Sequence, residues 1–287
     1  MLGFCLLAPM GDALAKILGQ TLSIGLLVLV RFAVQAAILA PVVLLTTRRW
    51  QMTRKQTVLI TLRMLLHMAG IGMMFTSLKY LPLADAVAIA FVMPFIMLLL
   101  GKTVLNETVG PRRLIACAVG FVGTLLVVQP SFQDVGWPAL LPLGVAVDFA
   151  LFMLLTRMVA KDIDPITLQA INGLMAVALL APLLVLLAPL GLPLLELRAP
   201  HGTEWPLLLA IGTLGTFAHL LMTWSLRFAP SATLAPMQYL EIPFATIIGW
   251  LVFRDLPNGL AAVGITITMA AGLYIVLRER ATSRQTA

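Results

Sequence analysis

Residues 77–82 read SLKYLP, and residues 225–230, 148 positions later, read SLRFAP. Each copy leaves one apolar stretch and runs directly into another, so the fold turns on what the flanking stretches are. Hydrophobic residues make up 61% of the 287-residue chain and charged residues only 11%, with a mean hydropathy of +1.03. A soluble domain carries about 25% charged and about 45–50% apolar residues. No soluble core of this size hides so much apolar surface, and lipid is the expected solvent for most of it.

Working outward from the two hinges, apolar segments fall at 2–19, 24–45, 58–78, 85–104, 114–130, 137–157, 167–189, 206–227, 231–252 and 258–277. Most approach the ~20 residues that a helix needs to cross the hydrocarbon core. Backbone polar groups inside lipid must be satisfied within the segment, which makes these segments helices. The fold class expected is all-α integral membrane with ten transmembrane helices. The opening MLGFCLLAPMGDALAKILGQ has no early basic residue and carries Asp12. It lacks the features of a cleaved signal peptide and reads as a retained first span.

The formal charge of +7 is a topology signal. With the N-terminus in the cytoplasm, inner loops and helix ends collect thirteen basic residues, among them Arg48, Arg49, Arg54, Lys55, Lys102 and Arg157. Lys16, Lys79, Arg198 and Arg254 are the four at the outer side. The positive-inside rule then places both termini in the cytoplasm. Trp50, Trp137, Trp205, Trp224 and Trp250 lie near segment ends, where aromatic belts form. Basic clusters interleaved with aromatics are missing, so nucleic acid is not an expected partner; membrane lipid is.

Shifting the chain by 148 aligns more than the hinge. Ala116, Gly120 and Thr124 fall on Gly264, Thr268 and Gly272, small residues at helical spacing that read as packing faces. Glu107 falls on Asp255, and Pro94-Phe95 falls one residue from Pro243-Phe244. An ordered series of matches marks an internal repeat: residues 1–130 and 137–277, followed by a short cytoplasmic tail over 278–287. Five helices per copy is odd, so the second copy enters the membrane from the opposite side. That is an inverted-topology repeat, an architecture recurrent in secondary transporters.

The stretches YLPLADAVAIAFVMPFIMLLLGKTVLNETVGPRRLIACAVGFVGTLLVV (80–128) and PMQYLEIPFATIIGWLVFRDLPNGLAAVGITITMAAGLYIV (236–276) resemble the EamA type of the drug/metabolite transporter superfamily. The opening DALAKILG followed by VRF resembles a bacterial subgroup of it. The resemblance implies a central cavity between the halves and alternating access for a small metabolite, in a bacterial-type inner membrane. The second half departs from the first just after the hinge, where SATLAP stands in place of LADAVA.

Ionisable groups inside a membrane are costly and mark cavities or pathways. Asp12 and Arg31 lie at matched depth on the first hairpin and suit either a structural ion pair or a substrate contact. Asp148 and Glu241 are near mid-span, each suited to a proton or cation site or to a neutral interhelical hydrogen bond. His67 and His219 occupy repeat-related helices, as cavity or core residues, and Gln238 and Tyr239 offer polar and aromatic contacts beside Glu241. Pro94 and Pro243 each remove a backbone donor mid-helix and should kink it. Arg63, close to a cytoplasmic end, is expected to snorkel.

Catalytic chemistry has no support: HExxH, GxSxG, a Walker loop and a paired-cysteine metal motif are absent. Cys5 and Cys117 fall in different spans as buried thiols, and NET at 106–108 is a fortuitous sequon. No cofactor, metal or catalytic residue is expected, and oligomeric state is left open. The leading expectation is export of amino acids or related metabolites, with a proton or another ion as coupling partner. Uptake of a vitamin or cofactor such as riboflavin or S-adenosylmethionine is the alternative. An intramembrane enzyme or a membrane scaffold ranks below both.

Overall fold

The computed structural model describes residues 1–46, 52–104, 110–229 and 234–285. Arg48, Arg49, Trp50, Glu107, the NET sequon and Pro230 lie outside the described residues, as do the side chains of Cys117, Arg112, Arg113, Arg278, Arg280 and Arg284. The described residues are mostly helical and contain no strand.

Helix starts follow local chemistry. After α1 (Leu2–Leu18), Ser23 caps α2 (Ile24–Leu45) by accepting from the Leu26 amide. Thr53 and Gln56 form a reciprocal capping box at α3 (Arg54–Ser77), which satisfies two free amides at once. The SLKYLP hinge then turns the chain into α4 (Leu83–Ala90). α4 stops at Ala90 and α5 (Met93–Val104) resumes after a two-residue break. Pro94 explains the break: it lacks the amide that would reach the Ala90 carbonyl, and its ring crowds that carbonyl. α6 (Pro111–Val135) ends at Gly136, whose φ of 71° is a backbone conformation that glycine adopts without a side-chain clash. A 3₁₀ turn leads into α7 (Leu141–Val159), and Asp164 caps α8 (Pro165–Leu187). α9 (Glu204–Phe228) carries the second hinge into a 3₁₀ segment, Ala235–Leu240. It changes to α10 (Glu241–Phe253) two residues before Pro243, and α11 (Gly259–Gln285) completes the chain. The helix thus runs on to Gln285, into the stretch read from sequence as a tail.

Among the described residues, seven helical stretches are long and apolar enough to cross a membrane by length and composition, and Met237–Phe253 and Gly259–Tyr274 are shorter apolar helices. α1, with 17 residues, spans about 25 Å at 1.5 Å per residue. The outward faces are apolar: Leu45, Ile115 and Leu186 are among the exposed side chains, as expected for surfaces that meet lipid.

Helices pair across the molecule: α1 packs along α9, α2 along α8, α3 along α7, α6 along α11, and α4 against α10. The α6–α11 seam is built from small residues. A Cβ on Gly264 would come within 2.4 Å of the Gly123 carbonyl oxygen, and the Thr268 hydroxyl donates to the Gly120 carbonyl at 3.2 Å. In the interior, Gln35 Nε2 donates to the Gln169 carbonyl at 2.7 Å, and Gln169 Nε2 donates to the Thr223 hydroxyl at 2.8 Å, tying α2, α8 and α9.

Contacts gather at the two ends of the bundle. At one, Lys16 Nζ lies 3.0 Å from Asp255 Oδ2, donates to the Leu81 carbonyl at 3.0 Å, and sits 4.8 Å from the Phe253 ring centre. At the other, the Met1 ammonium donates to the Ser225 hydroxyl at 2.7 Å, and Arg157 Nη1 donates to the Leu226 carbonyl. Each hinge therefore has a backbone carbonyl held by a cation from another helix.

Candidate functional site

A cavity of about 110 Å³ lies among α1, α3, α4, α5, α7, α9 and α10. Its polar wall contains five of the residues singled out from sequence: Asp12, His67, Asp148, His219 and Glu241. Phe4, Phe75, Phe91 and Phe149 supply aromatic wall. Phe4 and Phe149 stack at 5.9 Å between ring centres, and Phe149 stacks on Phe152 at 5.6 Å. Asp148 reaches the wall because α3 has a glycine opposite it: a Cβ on Gly70 would meet Asp148 Oδ2 at 2.3 Å. That oxygen is buried without a hydrogen-bond partner.

Arg31 does not form the direct ion pair with Asp12 that matched depth suggested. Its guanidinium turns toward α9, where Nη2 donates to His219 Nδ1 at 3.0 Å and approaches the Gly215 carbonyl at 3.5 Å. Gly215 makes room for it, since a Cβ there would lie 2.6 Å from Arg31 Nε. Asp12 remains within electrostatic reach of both Arg31 and Glu241, so the two halves bring carboxyl groups to one space.

Arg63 differs from expectation. It does not snorkel; it is completely buried. Its Nε donates to the Thr156 hydroxyl at 2.8 Å, its Nη1 donates to Asn172 Oδ1 at 2.7 Å, and its guanidinium lies 4.5 Å from the Phe152 ring centre. Asn172 in turn approaches His67 Nδ1 at 3.1 Å. Sequence reading overlooked this network; Asn172, one of two amides with Gln169 in an otherwise apolar helix, was its visible sign.

Gln238 and Tyr239 stand away from the cavity wall. Gln238 Nε2 faces Met153 Sδ at 3.4 Å. The Tyr239 ring packs on Phe91 at 5.4 Å and against Gly272, which places it at the α6–α11 seam. Pro94 and Pro243 each lie within two residues of a change in helix and do not line the cavity. No cluster of metal-ligating side chains occurs among the described residues.

An apolar helical bundle with ionisable groups gathered around an internal cavity defines a multi-pass membrane transporter. The chain belongs to the EamA-like transporter family, whose sequence model matches residues 1–129 and 136–278. Similar proteins include a riboflavin transporter of Rhizobium johnstonii, 30% identical over 228 residues, which cover 78% of this chain and 72% of that protein. A riboflavin transporter of Brucella anthropi is 28% identical, with 78% of each chain covered. An S-adenosylmethionine uptake transporter of Rickettsia prowazekii is 23% identical over 95% of this chain and 90% of that protein. A crystal structure with 18% identity superposes at a TM-score of 0.69, covering 97% of this chain and 98% of its own, and shares the fold.

Proposed function

We propose that the chain is a secondary transporter of ten membrane-crossing helices that takes up a heteroaromatic metabolite, riboflavin first, by alternating access. The observation that carries this reading is the central cavity, in which phenylalanine rings and imidazoles face carboxyl groups from both halves of the chain. A planar ring system stacks on aromatic walls, and its carbonyl and ring-nitrogen edge needs donors. The relatives named for riboflavin transport and S-adenosylmethionine uptake support this alternative over export of amino acids, the leading expectation from sequence, which draws no support from them. The Asp12, Asp148 and Glu241 carboxyls favour a second reading, S-adenosylmethionine, whose sulfonium and amino groups are cationic.

The inverted five-helix repeat over 1–130 and 137–277, with both termini cytoplasmic, is part of the proposal. The two family matches support it, and so does the pattern of helix pairs. Exchanging the halves turns the α1–α9 pair into the α7–α3 pair, leaves α2–α8 and α6–α11 as they are, and turns the α4–α10 contact into that of the Ala235–Leu240 segment with α5. A cavity of about 110 Å³ is smaller than the roughly 300–1,000 Å³ of sites that enclose drug-sized ligands, so admitting a flavin requires the halves to part. Carboxyl groups on both halves give a coupling proton a place to travel with the solute.

On this topology the Lys16–Asp255 pair joins the halves at the outer end and must separate for outward opening. An ion pair of this kind is worth up to ~1 kcal/mol, so Lys16→Met should speed labelling of Met74→Cys from outside roughly two- to fivefold in a background without Cys5 and Cys117. An unchanged rate removes the pair from the outer closure. The transport reading itself is tested by solute uptake into proteoliposomes.

A further inference from the structure

Two buried arginines stand behind the two cavity histidines, and neither has an acidic hydrogen-bond partner among the described residues. Arginine only donates. Arg63 Nη1 therefore fixes the near atom of the Asn172 amide as oxygen. The other end of that amide is then its NH₂ group, which donates to His67 Nδ1 at 3.1 Å. With Nδ1 accepting, the neutral ring carries its hydrogen on Nε2. That Nε2 is buried and has no partner in the protein, in a ring that lines the cavity. A buried N–H without a partner is costly, so its place in the wall calls for a ligand acceptor.

The same logic applies independently to His219. Arg31 Nη2 donates to His219 Nδ1 at 3.0 Å. The Gly215 carbonyl, 3.2 Å from the same nitrogen, cannot take a proton from it while the guanidinium occupies the lone pair. The His219 hydrogen is thereby placed on Nε2, and no described residue bonds that atom. The two imidazoles lie 4.4 Å apart, centre to centre, tilted by 35°.

We infer that His67 and His219 form a fixed pair of N–H donors that reads the acceptor edge of the solute's ring. Arg63, through Asn172, and Arg31, directly, are positioning residues that hold the proton on the cavity side. The guanidiniums thus act on the solute through the imidazoles. A carbonyl-bearing and aza-bearing ring edge, as in the pyrimidinedione portion of a flavin, matches such donors; a donor-rich edge is rejected. The inference deepens the riboflavin reading and rests on it for the identity of the ring.

The test has a ligand-free arm and a ligand arm. In bilayers containing protein labelled with ¹⁵N-histidine, both His67 and His219 should show a protonated Nε2 and an unprotonated Nδ1, with exposed His201 as reference. A proton on Nδ1 of either ring overturns the inference whichever solute binds. In the ligand arm, His67→Phe keeps the ring and removes the donor, and riboflavin binding, read by quenching of flavin fluorescence, should weaken about tenfold. His67→Gln, whose carbonyl can accept from Asn172 while its NH₂ faces the cavity, should recover most of that loss. Wild-type affinity in His67→Phe, or no recovery in His67→Gln, also overturns it. A wild-type protein indifferent to riboflavin sinks the riboflavin reading alone. The same variants are then read with S-adenosylmethionine, whose adenine nitrogens are acceptors, and equal binding by wild type and His67→Phe there defeats the donor pair.

Discussion

Gly264→Val should markedly lower the thermal midpoint of the protein in detergent. The α6–α11 seam has no space for a side chain at this position: the nearest atom to a new Cβ is the Gly123 carbonyl oxygen at 2.4 Å, followed by Val127 Cγ2 at 2.9 Å. A backbone atom cannot rotate aside, so the helices must separate. Overpacking of this kind costs typically ~1–3 kcal/mol, and the separation also lengthens the Thr268–Gly120 hydrogen bond. Gly72→Ala on α3 is the control, because a Cβ there meets nothing within 4 Å. It should leave the midpoint unchanged or raise it, since alanine favours a helix over glycine by ~1 kcal/mol. Equal midpoints for Gly264→Val and wild type, followed by circular dichroism, would show that the seam is not packed as described.

Glu241→Gln should abolish accumulation of solute against a gradient while leaving binding and exchange in place. Glu241 sits where the 3₁₀ segment becomes α10, two residues before Pro243, and it lines the cavity together with Asp12 and Asp148. A backbone that changes helix type there can re-aim the carboxyl as the halves move. A coupling proton drives transport only if its affinity differs between outward- and inward-open states. Glutamine keeps the shape and the hydrogen-bonding capacity but carries no exchangeable charge. The measurement is uptake into vesicles with an imposed pH gradient, beside exchange of preloaded labelled solute. Concentration to wild-type levels by the variant would move the coupling site elsewhere, with Asp148 next.

The residues that met at the cavity were the ones whose cost in lipid is visible without coordinates. Asp12, His67, Asp148, His219 and Glu241 are ionisable groups at depth, and the interior is the one low-cost place for them. The small-residue ladders were legible for a related reason: Gly120, Gly264 and Thr268 recur at helical spacing, and close helix approach needs that. Partner choice was not legible. Depth along a helix can be counted from sequence, but azimuth and the gap left by a neighbour cannot. Asp12 and Arg31 share a depth, yet Gly215 and His219 draw the guanidinium to α9. Arg63 counted as near a membrane surface, yet Thr156 and Asn172, on helices distant in sequence, hold it inside. Tyr239 adjoins Glu241 in the chain, and the 3₁₀ winding of Ala235–Leu240 sends it to the seam instead of the cavity. Chemistry alone gave a kink at Pro94; the structure has a two-residue break at Phe91–Val92 instead, next to the carbonyl that proline crowds.

The central claim is uptake of a ring-bearing metabolite through the histidine-lined cavity. Its most direct measurement is accumulation of labelled riboflavin in proteoliposomes of purified protein under an imposed proton gradient, beside S-adenosylmethionine and a mixture of amino acids. The account predicts riboflavin accumulation that collapses with the gradient and is lost in Glu241→Gln. Accumulation of amino acids with neither riboflavin nor S-adenosylmethionine moving would contradict it.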